Sequence, residues 1–244
     1  MLLYFIRHGD PIYDPDSLTE LGRKQAAALA GRLGLYGLDE IYCSTSTRAR
    51  QTAEPTCRKL GMEPVLLDWA SENHAWREFA VPQPDGVSKN WVFHTETYVD
   101  LFNSPAVRAL GDRWYEHEEL RAFDFGRGIR RMQKEADGFL LSLGYRHDKE
   151  AGGYVAEAYN NKRVALFAHQ GVGLLFLSCV MDIPYPYFST HFDFGHSSFT
   201  VIEFDNRSVK CKSVFTYPKI LQLSSDAHLY KEGLLTGYQN VIDV

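Results

Sequence analysis

Short apolar runs alternate along the chain with segments whose apolar residues recur at helical spacing. Leu2 to Ile6 is a continuous apolar run ending at Arg7-His8-Gly9, the pattern of a strand buried on both faces. Ala26, Leu29, Ala30 and Leu33 then mark a helix, with Thr19 as its N-cap and Gly34 as its stop. Glu40 to Cys43 reads as a second strand. Hydroxyls at Ser44, Thr45, Ser46 and Thr47 precede a helix over Arg48 to Leu60, closed by Gly61. Pro55 predicts a kink or early break in that helix, because it removes a donor and crowds the preceding turn. Pro64 to Leu67 and Val164 to Ala168 read as further strands, the latter leading through His169-Gln170-Gly171 into an apolar helix ending near Met181. Phe199 to Phe204 and Val209 to Phe215 predict a late hairpin, and Ile220 to Val244 a C-terminal helix and tail.

Strands alternating with helices imply a largely parallel sheet covered on both faces. The rhythm lapses from about Trp69 to Lys149, a stretch that holds all four tryptophans, Trp69, Trp76, Trp91 and Trp114. This predicts a single domain over 1–244 with an inserted, aromatic-rich subdomain at about 69–149. Ile129, Met132, Ala136, Phe139, Leu140 and Leu143 form one helical face within it, and the aromatics are expected to make the insertion's own small core.

Composition narrows the class. The 244 residues are 45% hydrophobic and 23% charged, which suits a globular α/β domain and neither disorder nor a fibrous repeat. A net charge of −5 without a dense basic run argues against binding through nucleic-acid phosphates or anionic lipid, so any anion must be held by a local positive site. Cys43, Cys57, Cys179 and Cys211 form no CxxC pair, and the opening apolar run meets Arg7-His8 at once; the expected setting is reducing and cytoplasmic. No apolar stretch approaches the roughly twenty residues that cross a bilayer.

Chemistry-bearing residues gather where strands pass into helices. Arg7-His8-Gly9 stands at the end of the first strand, Ser44-x-x-x-Arg48-Ala49-x-Gln51-Thr52-Ala53 follows the second, and His169-Gln170-Gly171 follows a later one. In an open α/β sheet these positions face one crevice. Together with Leu18-Thr19-Glu20-x-Gly22-x-x-Gln25-Ala26, these motifs resemble the histidine phosphatase superfamily, also called phosphoglycerate mutase-like, over about 1–62 and 163–204. The resemblance implies a three-layer α/β/α sandwich over a mostly parallel central sheet.

It also implies roles. His8 matches the nucleophile that becomes phosphohistidine, Arg7 and Arg48 the arginines that grip phosphate, and His169 the second histidine donating to the same oxygens. Such a site has a physical rationale: a phosphate monoester repels nucleophiles, so a neutral imidazole in a cationic pocket suits it. One carboxyl group then serves as acid and afterwards as base. The family places it after the third strand, where Glu72 is first choice, Glu78 second and Asp68 third. Gln170 is a further candidate amide donor to phosphate. Most of Asp10, Asp14 and Asp16 are expected to pair with cations or cap the following helix instead of facing an anion.

Other readings stay open. Gly171-Val172-Gly173 suggests a dinucleotide fingerprint, but its third glycine position is Phe176. A metal site from His8, Asp10, Asp14 and Asp16 is conceivable, although the paired arginines favour a design without metal or cofactor. The expectation is a phosphoric monoester hydrolase acting on a small phosphorylated molecule. Phosphoglycerate mutase-type transfer and a non-catalytic phosphate-ligand or protein-binding module are the alternatives, and substrate and oligomeric state are left open.

Overall fold

The computed structural model describes residues 1–206 and 215–226. β1 (Leu2–Arg7) leads into a hairpin of β2 (Pro11–Tyr13) and β3 (Asp16–Leu18), then α1 (Glu20–Tyr36), β4 (Glu40–Ser44), α2 (Thr47–Leu60) and β5 (Val65–Leu67). The middle of the chain supplies α3 (Glu72–Phe79), a hairpin of β6 (Ala80–Pro82) and β7 (Lys89–Trp91), α4 (Glu96–Asn103), α5 (Pro105–Ala109), α6 (Phe125–Ser142), and a hairpin of β8 (Tyr145–Asp148) and β9 (Gly153–Ala156). β10 (Arg163–Ala168), α7 (Gln170–Val180), α8 (Tyr185–His191), β11 (Ser198–Glu203) and β12 (Lys219–Asp226) complete it.

The central sheet has the order β12-β11-β1-β10-β4-β5. The pairings β1–β10, β10–β4 and β4–β5 are parallel, whereas β11 and β12 extend one edge antiparallel. Alternation along the strands builds the three layers. Leu3 and Phe5 of β1, with Val164, Leu166 and Ala168 of β10, face a core shared with α6 and α7. Tyr4, Ile6, Ala165 and Phe167 face a second core with Leu29 and Leu33 of α1 and Ala49 and Ala53 of α2. The continuous apolar strands of the sequence are thus buried on both sides.

Several expectations need correction. α1 continues past Gly34 to Tyr36 and ends on Gly37, whose φ of 71° is the conformation glycine adopts without a Cβ penalty. α2 runs unbroken through Pro55, because its apolar face is held by α1 and β4 and that packing outweighs one lost hydrogen bond. Residues from Lys219 form a strand against β11, not a helix; the edge of β11 offers Lys219–Asp226 a hydrogen-bonding partner that local spacing cannot reveal. The expected strand over Val209 to Phe215, and the tail beyond 226, lie largely or wholly outside the described residues.

The aromatics of the middle segment make no separate core. Trp69 stacks on Phe176 of α7 at 5.7 Å between ring centroids, and Trp114 packs on Tyr185 of α8 at 5.8 Å. Helices α3, α4 and α6 therefore share one apolar cluster with the sheet and α7. Phe176 also stacks on Phe5, and a Cβ at Gly173 would lie 2.5 Å from that ring, so this glycine serves helix-on-sheet packing. Among the described residues no helix is long and apolar enough to cross a membrane.

Candidate active site

The parallel neighbours β1, β10 and β4 end side by side, which brings Arg7-His8, His169 and the start of α2 to one edge of the sheet. His8 continues the ladder through a bond from its N–H to the Ala168 carbonyl, 3.0 Å. Its Nδ1 lies 2.7 Å from the Gly9 carbonyl, an acceptor only, so Nδ1 carries the proton. Arg48 Nε–H donates to His8 Nε2 at 3.2 Å, which requires a lone pair there. Both contacts select one neutral tautomer, with Nε2 unprotonated and its lone pair turned to Arg48. Burial pushes the pKa of His8 well below its ordinary value; Arg48, Arg7 and His196 push it the same way against the opposing Gly9 bond.

Arg48 is nearly buried and pairs with Asp16 at 2.7 Å; the other Asp16 oxygen caps α2 by accepting from the Thr47 N–H at 2.6 Å. Arg7 donates to the Phe194 carbonyl and to His196 Nε2, and its Nε–H is buried without a partner among the described residues. His169 is fully buried, its ring centroid 5.1 Å from that of His8. Ser44 and Ser46 hydroxyls meet its Nε2 at 2.8 and 3.2 Å. Burial, then the charges of His8, Arg48 and Arg7, hold its pKa well below the usual histidine range.

The three candidate acids part company. Glu72 opens α3 and accepts the Gly171 N–H at 3.0 Å on Oε1, while Oε2 lies 3.5 Å from His169 Nδ1. Both of those facing atoms are buried, and neither has a hydrogen-bond partner among the described residues. Glu78 instead takes a fork of bonds from Arg131, at 2.7 to 3.1 Å, inside the protein. Asp68 is exposed and meets His74 at 2.9 Å. A Cβ at Gly171 would stand 2.5 Å from Glu72 Oε1 and 2.6 Å from the Trp91 ring, so glycine there lets carboxylate, indole and helix start converge. Gln170 turns its amide to Asp193 rather than to His8.

Asp10 and Asp14 also find other work. Asp10 accepts from the Thr19 hydroxyl at 2.6 Å, and Asp14 is exposed at the tip of the β2–β3 hairpin. No group of three or more His, Cys, Asp or Glu among the described residues is arranged to hold a metal ion. Sequence reasoning missed Ser44, Ser46, His196 and Tyr13, whose ring lies 5.4 Å from the Arg48 guanidinium. Ser44 and Ser46 sit in a motif already singled out and were read only as caps; His196 lies in a loop with no motif. Thr52, also in that motif, accepts the Gly9 N–H at 3.0 Å.

Comparison with known proteins bears on the fold that carries these residues. Residues 3–91 match the family model described as histidine phosphatase superfamily (branch 1). One stretch is 35% identical over 86 residues to PE-PGRS family protein PE_PGRS11 of Mycobacterium tuberculosis; it covers 31% of this chain, which spans only 15% of that relative. Among solved structures, mycobacterial hydrolase 1 is 19% identical with a TM-score of 0.57, covering 92% of this chain and 99% of that one. Phosphoserine phosphatase of Entamoeba histolytica, solved with 3-phosphoglyceric acid, is 18% identical with a TM-score of 0.55, covering 92% and 96%. Mycobacterial glucosyl-3-phosphoglycerate phosphatase, solved with inorganic phosphate, is 17% identical with a TM-score of 0.51, covering 93% and 99%. At these identities the solved structures speak to the fold: this chain has the histidine phosphatase architecture.

Proposed function

We propose that this chain, with its histidine phosphatase fold, hydrolyses small phosphate monoesters through a phosphohistidine at His8, without a metal ion. The observation that carries the reading is a neutral His8 imidazole with Nε2 unprotonated and touched by Arg48, beside a second imidazole that one carboxyl group faces, with Arg7 next to it at the end of β1.

In the first step His8 Nε2 attacks phosphorus, the phosphorus–oxygen bond to the leaving group breaks, and Glu72 gives its proton to the departing oxygen. Arg7, Arg48 and His169 stabilise the equatorial oxygens as charge shifts in the transition state. Arg48 acts where phosphorus arrives, since its Nε already touches the attacking nitrogen. In the second step ionised Glu72 takes a proton from water, whose oxygen attacks phosphorus and releases His8. Phosphate and the alcohol are the products, and the enzyme ends as it began. The Trp91 ring meets Glu72 Oε1 over Gly171, with Trp76 in edge contact at 5.0 Å and Phe93 stacked on it, which puts an aromatic surface beside the proposed acid.

Rapid-quench labelling with a ³²P-labelled phosphomonoester tests the reading. Wild type is expected to show acid-labile label on His8 and to release inorganic phosphate, with His8→Ala folded and losing both. Label without phosphate release, the phosphoryl group returning to a second position on the substrate, would support a mutase. Absence of label and turnover over a broad panel would leave a phosphate-binding module.

A further inference from the structure

The turn before β11 delivers a side chain to the site that neither the motifs nor the proposed chemistry has used. Ser197, at φ 61°, donates its N–H to the Arg7 carbonyl at 3.1 Å and the His8 carbonyl at 3.0 Å, strapping the turn across the end of β1. The adjacent His196 ring lies beside both residues, its centroid 5.6 Å from that of His8. Arg7 Nη2 meets His196 Nε2 at 2.8 Å. A guanidinium can only donate, so Nε2 accepts, and the neutral ring carries its proton on Nδ1. That nitrogen faces Asp10 Oδ1 at 3.6 Å, and Asp10 is itself held by the Thr19 hydroxyl on its other oxygen. The Phe194 carbonyl in the same turn takes a second bond, from Arg7 Nη1.

We propose that His196 is a positioning residue: with Asp10 behind it, it fixes the orientation of the Arg7 fork against the phosphoryl group bound at His8. The inference rests on the phosphatase reading of this site. An arginine side chain has several freely rotating bonds, and only a fixed plane presents two parallel donors to a phosphate. One turn holds that plane from two sides, through the Phe194 carbonyl and the His196 ring. The neutral ring also suits its place, because an imidazolium there would face the Arg7 cation and lose the acceptor.

Inorganic phosphate binding by titration calorimetry and steady-state kinetics with an aryl phosphate, on the full chain, provide the test. His196→Leu is expected to weaken phosphate binding about tenfold or more and to lower kcat/KM at least as much, as for loss of a hydrogen bond to a charged group. His196→Asn is expected to restore most of the loss, because its amide oxygen can accept from Arg7 while its N–H₂ faces Asp10. In an Arg7→Ala background, His196→Leu is expected to cost nothing further. His196→Ala replaces the leucine variant if that fails to melt cooperatively. Wild-type phosphate binding with His196→Leu or His196→Ala unaffected, or losses that simply add in the double variant, would overturn the positioning role and leave the phosphatase reading intact. Failure of wild type to bind phosphate or turn over any ester would overturn both.

Discussion

At the scale of single residues the site is a set of decisions about protons. His8 and His169 are kept neutral by burial and by neighbouring cations, so the proposed mechanism draws the proton for the leaving oxygen from a carboxyl group. Glu72→Gln keeps the Gly171 contact but cannot ionise. It is expected to slow alkyl phosphates by about 10²-fold or more while slowing p-nitrophenyl phosphate far less in the phosphorylation step, because a good leaving group departs without a proton. Equal losses in single-turnover release of both alcohols would remove Glu72 from this role. The depressed pKa of His8 gives a second expectation with a definite sign. The group is neutral above its folded pKa, so its Cε1 proton resonance should not move as pH falls from 8 through 6.5, the range where an ordinary imidazole begins to charge. A His8 midpoint near 6.5 would contradict the buried tautomer. Of these residues, His8, Arg7, Arg48 and His169 were legible because each follows a strand in a motif. Only the family resemblance ranks Glu72 above Glu78 in the sequence; what separates them physically is helix phase, since six residues on Glu78 points round α3 into Arg131. His196 was illegible because only the antiparallel register of β11 beside β1, Ile6 opposite Phe199, lays its turn over Arg7.

At the scale of elements the end of β1 that carries the proposed phosphate site depends on how closely it crosses α1. A Cβ at Gly22 would stand 2.2 Å from the Asp10 carbonyl oxygen, and one at Gly9 2.7 Å from that of Gly22. Both obstacles are backbone, which cannot rotate away. Gly22→Ala is therefore expected to cost about 3 kcal/mol and to disturb the Arg7-His8-Gly9 turn. Gly31→Ala in the same helix meets nothing within 4 Å and is expected to stabilise by roughly 0.5–1 kcal/mol through helix propensity. Chemical denaturation of the pair checks this, and similar midpoints for the two variants would show that the crossing is not under steric control. The same scale separates the legible from the illegible parts of the fold. Buried strands, capped helices and their alternation were visible because each is a local pattern. The persistence of α2 through Pro55, the use of Lys219–Asp226 as an edge strand and the merging of the middle aromatics with α7 were not, because each is decided by a partner distant in sequence.

At the scale of the molecule one buried cluster ties the middle segment to the sheet's helical layer, and it carries a pH dependence of its own. His147 of β8 lies 2.9 Å from Asp137 of α6 on one ring nitrogen and 2.9 Å from Asp182, after α7, on the other, with its ring stacked on Tyr154 of β9 at 4.3 Å. Burial alone would depress this imidazole, but the bonds to Asp137 and Asp182 outweigh it and its pKa is pushed up to about 9. An unfolded histidine titrates near about 6.5, so the folded state holds the proton more tightly. The resulting stabilisation is fully present below pH about 6.5 and is lost as pH rises towards 9. Its ceiling is about 3 kcal/mol, which for a protein of this size corresponds to roughly 6–12 °C in melting temperature. In His147→Gln the two carboxylates lose the cation between them, so the variant should melt well below wild type at pH 6, and the gap should narrow steadily to pH 9.5. The proposed active site lies on other elements, so turnover of the folded variant at 25 °C is expected to stay near wild type. A melting gap that is the same at pH 6 and pH 9.5 would mean that packing of the ring on Tyr154, and not its charge, joins these layers.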